Sequence, residues 1–97
     1  MVEHMVLFKV KPETSAASID AMVSGLKELQ SQISGIVDLS VGTNFSERNQ
    51  GFTHGLVVRF EARADLDAYI PHEAHQRAVQ QLIRPIVDDV LVVDYEI

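Results

Sequence analysis

Four histidines and one tyrosine are the residues of this sequence best suited to chemistry near neutral pH. Imidazole changes charge between pH 5 and 8, so it can accept or release a proton under physiological conditions. His4 and His54 lie in segments of alternating apolar residues, whereas Tyr69, His72 and His75 share the stretch YIPHEAH. Several polar rings that converge within an apolar wall are typical of a small-molecule site. These residues therefore predict that the protein binds a small molecule.

Two other interpretations of the histidines stay open at this point. A single histidine on an apolar face is usually a core residue with a hydrogen-bonded ring nitrogen. His72 and His75 are also spaced to place two imidazoles about one helical turn apart, within reach of one metal ion. The sharper His-Glu-x-x-His motif is absent, as are cysteine and a Gly-x-Ser-x-Gly elbow, so nucleophilic catalysis is not supported. We predict a site that uses neither a metal nor a cofactor.

The two strands that carry His4 and His54 follow from residues that alternate between apolar and polar. The first runs from Val2 to Val10 and the second from Phe52 to Glu61. Successive side chains of a strand point to opposite faces, so each histidine shares its face with the core-forming residues of its own strand. The neighbours that we predict to line the binding site with these histidines are Val6, Phe8 and Leu56.

Two helical zones and two further strands complete the pattern. The first helical zone runs from Ala16 to about Ser34, and its apolar stripe includes Met22, Val23 and Leu26. The second runs from Ala62 to Val87 and is interrupted near Pro71, because proline lacks an N–H group and restricts the residue before it. The remaining strands are residues 36–41, with Val37, Leu39 and Val41 on the buried side, and residues 90–95.

The element order β-α-β-β-α-β predicts one ferredoxin-like α+β domain over residues 1–97, with both helices on one face of an antiparallel four-stranded sheet. The opposite face would then have no cover, although it carries apolar side chains such as Met5, Leu7, Val57 and Leu91. A large exposed apolar patch is a liability that a second copy can bury symmetrically. We therefore predict a homodimer through the outer sheet face, which is a dimeric α/β barrel.

Composition excludes several classes of partner. The formal net charge is −6 and no basic stripe is present, so nucleic acid and anionic membranes are disfavoured as partners. No apolar run approaches the roughly 20 residues of a transmembrane helix. Its first residues lack the basic region and the small-residue cleavage site of a signal peptide, and the sequence contains no cysteine. These features predict a cytoplasmic protein.

Four segments of the chain together resemble the stress-responsive A/B barrel (Dabb) family. They are HMVLFK at residues 4–9, GFTHGLVVRF at 51–60, YIPHEAH at 69–75 and DVLVVDY at 89–95. The resemblance covers essentially the whole chain. It implies the ferredoxin-like fold, a homodimer whose two sheets form a barrel, and a link to stress responses.

One branch of the family closes linear polyketides by aldol condensation. Several residues of this chain match the catalytic and pocket residues of that branch. By that resemblance, Tyr69 and His75 match catalytic residues, His4 and His54 match histidines that line the pocket, and His72 matches a further family histidine. The resemblance implies that His75 is a general base and that Tyr69 donates a hydrogen bond to a carbonyl or enolate oxygen. Residues that replace the pocket-shaping aromatics of the first helix are Met22, Val23 and Leu26.

Several functions remain as hypotheses from the sequence. The first is an A/B barrel protein that binds a small molecule in a pocket lined by histidine and tyrosine. An alternative is a cofactor-free, polyketide cyclase-like enzyme that uses acid–base chemistry. Further alternatives are a stress-protective module without turnover and a heme- or quinol-type monooxygenase, which uses the same dimeric barrel.

Overall fold

The structure, a computed structural model, describes all 97 residues as four strands and three helices. In chain order, its elements are β1 (Val2–Val10), α1 (Ala16–Gln32), β2 (Ile36–Thr43), β3 (His54–Phe60), α2 (Arg63–Tyr69), α3 (Glu73–Ala78), a π-helical turn (Val79–Ile83) and β4 (Val87–Glu96). The strands form one antiparallel sheet in the order β2-β3-β1-β4, and the helices lie on one face of it. The ferredoxin-like α+β fold that the sequence predicts is confirmed.

The second helical zone is divided where the sequence contains proline. α2 ends at Tyr69, and α3 begins at Glu73. Ile70 keeps a helical backbone conformation, contrary to the bias expected for a residue before proline. The helix stops because Pro71 has no N–H to donate, and His72 then turns to an extended ψ of 138°.

The hydrophobic core lies between the sheet and the helices. Alternation along β1 and β3 turns His4, Val6, Phe8 and their partners on β3 towards α1. The largest fully buried side chains of this core are Tyr69, Phe8, Phe60, Met22, Leu26, Leu29 and Val58. The sheet therefore holds His4 among core residues. None of the helices combines the length and the apolar composition of a membrane-spanning segment.

A bulge in β2 corrects one prediction about which residues share a face. In the pairing with β3, Ile36 lies opposite Phe60 and Asp38 lies opposite Arg59, so Val37 is an extra residue. The bulge brings Ile36 to the core face together with Leu39 and Val41, while Val37 is exposed. The prediction that Val37 shares the buried face was wrong, because simple alternation cannot anticipate an inserted residue.

The other face of the sheet is not covered by any element of this chain. Leu7 lies opposite Leu91, and Met5 lies between Val57 and Val93 in the register of the three strands. Leu91 and Val93 are each nearly half exposed, at 47% and 46%. At one end of this face, the Glu3 carboxylate accepts a hydrogen bond from Arg59 Nε at 2.8 Å. The face is thus apolar at its centre and charged at that end.

The turn between α1 and β2 depends on a glycine. Gly35 has a φ of 96°, which residues with a side chain adopt only at a cost. We expect Gly35→Ala to lower the free energy of unfolding by about 1 kcal/mol. Urea denaturation would check this, with the exposed neighbour Ser34→Ala as the control. Equal stability of the two variants would contradict the argument.

Candidate functional site

A cavity of about 190 Å³ lies between the sheet and the segment formed by α3 and the π-helical turn. Its wall is mostly apolar, and three polar rings, those of His4, Tyr69 and His75, reach it. The full lining consists of His4, Val6, Phe8, Leu26, Leu56, Tyr69, Ile70, His75, Ala78, Val79, Ile83, Val90 and Val92. An apolar wall with a few convergent polar groups is the usual form of a ligand site.

The three polar rings form one cluster. The centroids of the Tyr69 and His75 rings are 4.5 Å apart, and those of Tyr69 and His4 are 5.7 Å apart. Phe60 supports the cluster from the core, with its ring centroid 5.2 Å from that of Tyr69. The Tyr69 ring therefore packs against both imidazoles.

The helix break places His75 and fixes its tautomer. His75 Nδ1 is 2.9 Å from the carbonyl oxygen of Ile70, which can only accept a hydrogen bond. Nδ1 must therefore carry the proton, and in the neutral ring Nε2 is left with the lone pair. Burial lowers the pKa of His75 below 6.5, and the nearby His4 and His72 lower it further, although the Ile70 hydrogen bond acts in the opposite direction. At neutral pH this side chain is a base with Nε2 as its basic atom.

His4 is held by a carboxylate. Its Nδ1 is 2.5 Å from Oδ1 of Asp94, which lies directly opposite His4 in the pairing of β1 with β4. Because the carboxylate accepts, Nδ1 donates and Nε2 remains for another partner. Asp94 thus orients His4, as a carboxylate orients the imidazole in many acid–base sites.

The Tyr69 side chain is 1% exposed and makes no hydrogen bond through its hydroxyl group. No fully enclosed side-chain oxygen or nitrogen of the protein lacks a partner, so this hydroxyl must open onto free space. That space is the cavity, because the Tyr69 side chain forms part of the cavity wall. Burial raises the pKa of Tyr69 to about 12. The hydroxyl therefore keeps its proton at neutral pH and is available as a donor.

The structure brings seven of the residues predicted from the sequence to the cavity and places four elsewhere. The seven are His4, Val6, Phe8, Leu26, Leu56, Tyr69 and His75. His54 is buried at the start of β3, opposite Phe8, and does not line the cavity. Its Nδ1 pairs with Thr53 Oγ1 at 2.8 Å. His72 caps α3, because its Nδ1 accepts a hydrogen bond from the Ala74 N–H at 3.0 Å.

Met22 and Val23 are the other two residues outside the cavity. Met22 is fully buried in the core, and Val23 packs against that core while partly exposed. Only Leu26 of the predicted α1 residues reaches the cavity. A ligand role for His54, His72, Met22 and Val23 stays a prediction, and it would require contacts beyond this cavity.

Other residues at the site were not identified from the sequence. They are Ile70, Ala78, Val79, Ile83, Val90, Val92 and Asp94. The alternation of residues along β4 indicates that Val90, Val92 and Asp94 share one face. The sequence pattern does not reveal the strand register that sets Asp94 beside His4. The π-helical turn, in which the Arg84 N–H donates to Val79 O at 2.9 Å, leaves no recognisable sequence pattern.

No three histidine, aspartate or glutamate side chains come together in an arrangement that could hold a metal ion. The two histidines of the His-x-x-His spacing are instead engaged locally, His72 with Ala74 and His75 with Ile70.

Comparison with known proteins identifies the family. The sequence profile described as Stress responsive A/B Barrel Domain (Dabb) matches residues 2–97. This chain belongs to that family. Its A/B barrel domain is 32% identical to one stress-response A/B barrel domain-containing protein of Arabidopsis thaliana, over 98% of this chain and 36% of that relative. It is 33% identical to a second such protein of the same plant, DABB1, over 98% of this chain and 46% of DABB1. The chain thus spans less than half the length of these two relatives.

Another relative and three solved structures extend the comparison. Olivetolic acid cyclase of Cannabis sativa is 27% identical, over 97% of this chain and 94% of the cyclase. The crystal structure of At3g17210 from Arabidopsis thaliana superposes with a TM-score of 0.89 at 30% identity, covering 99% of this chain and 94% of the other. Hydroxynitrile lyase from Passiflora edulis also gives 0.89, at 23% identity and with 99% and 92% coverage, and shares the fold. A dimeric ferredoxin-like protein of unknown function from Jannaschia sp. CCS1 gives 0.80 at 30% identity, with 99% and 98% coverage.

The buried histidines of this A/B barrel domain predict how its stability depends on pH. Burial lowers the pKa values of both His54 and His75 in the folded protein, whereas in the unfolded chain they return to about 6.5. Below pH 6.5 the unfolded chain binds protons that the folded chain does not, so the free energy of unfolding falls as the pH falls.

Urea denaturation at pH 7.5 and 5.5, at one fixed protein concentration, would measure this loss. We expect His54→Gln and His75→Gln each to reduce the difference between the two pH values, because a group that no longer titrates cannot contribute to it. A difference that is unchanged in both variants would contradict the assignment of the pH dependence to these histidines.

Proposed function

We propose that this A/B barrel domain is a homodimer that binds a small molecule in the cavity between α3 and the sheet. The observation that carries the proposal is that three polar groups reach one apolar cavity with hydrogen-bonding capacity to spare. They are the Tyr69 hydroxyl and the Nε2 atoms of His4 and His75. Burying such groups costs free energy unless a partner satisfies them, and a bound ligand would supply that partner.

The dimer is supported by the uncovered sheet face and by related structures. Leu91, Val93 and Tyr95 are 46–47% exposed on that face, and burial against a second copy would remove them from water. The solved Jannaschia protein, which is 30% identical, is described as dimeric. A cytoplasmic location and a role in stress responses stay predictions, the second of them supported by the family's description.

A second candidate function, cofactor-free acid–base catalysis, is favoured by the tautomer of His75. Its Nε2 would take a proton from a carbon next to a carbonyl group, and Tyr69 would donate a hydrogen bond to the carbonyl oxygen that gains negative charge in the enolate. The same Nε2 would return the proton to the product, so no redox partner is needed. The related protein named olivetolic acid cyclase is a precedent for a cyclase-like reaction. The heme- or quinol-type monooxygenase hypothesis rests on fold analogy, and no feature of the cavity favours it.

A cavity-filling variant would test the binding function. Ala78 lines the cavity, so Ala78→Leu should occupy part of its volume, whereas the exposed α1 residue Ala21 can carry the same change harmlessly. Each protein would be incubated with a metabolite extract and separated by gel filtration, and the retained small molecules would be identified by mass spectrometry. We expect the wild type and Ala21→Leu to retain the same compound and Ala78→Leu to lose it. Equal retention by all three would overturn the proposal.

A further inference from the structure

We infer that the cavity selects small neutral molecules, about the size of one ring with a short polar substituent, and rejects carboxylate anions. This inference rests on the proposed binding function and specifies the chemical class of the ligand. It follows from three features of the cavity, which are its volume, the charges around it and its hydrogen-bonding groups.

The volume limits the buried part of the ligand to roughly one ring. The cavity measures about 190 Å³, whereas an engineered apolar cavity of about 150 Å³ binds benzene and pockets for drug-sized ligands span about 300–1,000 Å³. Phe8, Leu26 and Leu56 on its wall are at most 3% exposed and are packed into the core on their other sides. Close-packed interiors resist expansion, so a second fused ring cannot be buried on the core side. It would extend past the half-exposed Val90 and Val92 on the other side and remain largely in water.

The charges around the cavity disfavour an anion. None of the thirteen lining residues is lysine or arginine. Arg84 lines a neighbouring surface groove, which shares Ile70, His75 and Val79 with the cavity, but it does not line the cavity itself. The Asp94 carboxylate, which is bonded to the cavity residue His4, adds a negative charge beside the cavity. A carboxylate that entered would lose its hydration without gaining a lysine or arginine partner, which is unfavourable.

The hydrogen-bonding groups match a neutral alcohol or carbonyl compound. The Tyr69 hydroxyl is a donor, and Nε2 of His75 is an acceptor when the ring is neutral. An alcohol on a single ring can accept from Tyr69 and donate to His75 at the same time. The rest of the ring would contact the apolar side chains of the wall.

Four aromatic probes would test these limits by titrating ¹⁵N-labelled protein at pH 7.5 and following the amide signals of Ala78 and Val92. Toluene has the ring alone, benzyl alcohol adds a hydroxyl, benzoate adds a negative charge, and 2-naphthalenemethanol adds a second ring. We expect benzyl alcohol to bind about three- to tenfold more tightly than toluene, as one net hydrogen bond provides. We expect benzoate to bind at least roughly tenfold more weakly than benzyl alcohol, and 2-naphthalenemethanol to bind no more tightly than benzyl alcohol, because its second ring gains no buried contact.

Variants would connect each preference to its residue. Tyr69→Phe should weaken the binding of benzyl alcohol and leave that of toluene unchanged, while the hydrogen bond to His75 keeps part of the preference for the alcohol. Leu26→Ala opens space on the core side and should strengthen the binding of 2-naphthalenemethanol. Because Leu26 is a core residue, Leu26→Val offers a smaller enlargement at lower risk to folding.

The outcomes separate this inference from the proposed function. If neither toluene nor benzyl alcohol binds, the cavity is not a binding site and the proposed function fails as well. If benzoate binds as tightly as benzyl alcohol, or if 2-naphthalenemethanol binds the wild type more tightly than benzyl alcohol does, the inference is overturned while binding in the cavity stands. Selective binding of benzyl alcohol, weakened in Tyr69→Phe, would support both.

Discussion

Leu91→Asp is expected to convert the dimer into monomers. Leu91 lies on the uncovered sheet face, on the edge strand β4, opposite Leu7 and 47% exposed in the single chain. In a two-fold symmetric dimer the change would bury two unpaired carboxylates, each at a cost of roughly 3–5 kcal/mol. The dissociation constant should then rise by more than about a thousandfold. Light scattering coupled to gel filtration would measure the mass of the particle.

Two further variants make that result specific to the sheet face. Val57→Asp lies on the same face and should behave like Leu91→Asp. Ala17→Asp adds the same charge at an exposed position of α1 and should leave the dimer intact. A stable dimer in both sheet variants would refute the assignment of the interface to this face. Aggregation of both, with an intact dimer for Ala17→Asp, would agree with an apolar face that is left without cover.

His75→Ala is expected to lower the rate of proton abstraction by about 10²- to 10⁴-fold, if the domain is the acid–base catalyst described above. A small enolisable ketone with a single ring, such as phenylacetone, provides an assay, because exchange of its α-protons in D₂O can be followed by NMR. His75 lies in the cavity wall with its tautomer fixed by Ile70. Without His75, the imidazole that remains beside Tyr69 is that of His4, which is bonded to Asp94.

The pH profile distinguishes a catalytic base from a structural histidine. The active form is the neutral ring, so the wild-type rate should fall on acidification through the lowered pKa of His75, at a pH below 6.5. The rate should show no alkaline limb up to about pH 10, because Tyr69 keeps its proton until its pKa of about 12. His54→Ala removes a buried imidazole outside the cavity and should change the exchange rate little. Exchange that is unaffected by His75→Ala would eliminate this catalytic function.

The placement of His4 shows why part of the site could be predicted from the sequence. Period-two alternation puts His4 on the face of Val6 and Phe8, whatever the partner strands are. The YIPHEAH stretch also brings Tyr69 and His75 close together through local geometry alone, because only one short turn separates α2 from α3. The contact between their rings therefore follows from residues that are neighbours along the chain.

The sequence by itself determined the four-stranded α+β fold, through the order of its helical and strand segments. It also determined the two faces of β1, β3 and β4, and with them the apolar outer face of the sheet, because each face depends on alternation within one strand. Only the tertiary structure decided that Asp94 pairs with His4, since this depends on the register of strands that are distant in sequence. It also decided that His54 lies outside the cavity while Leu26 lines it. Periodicity specifies the direction in which a side chain points, whereas the shape of a cavity depends on how several elements pack against one another.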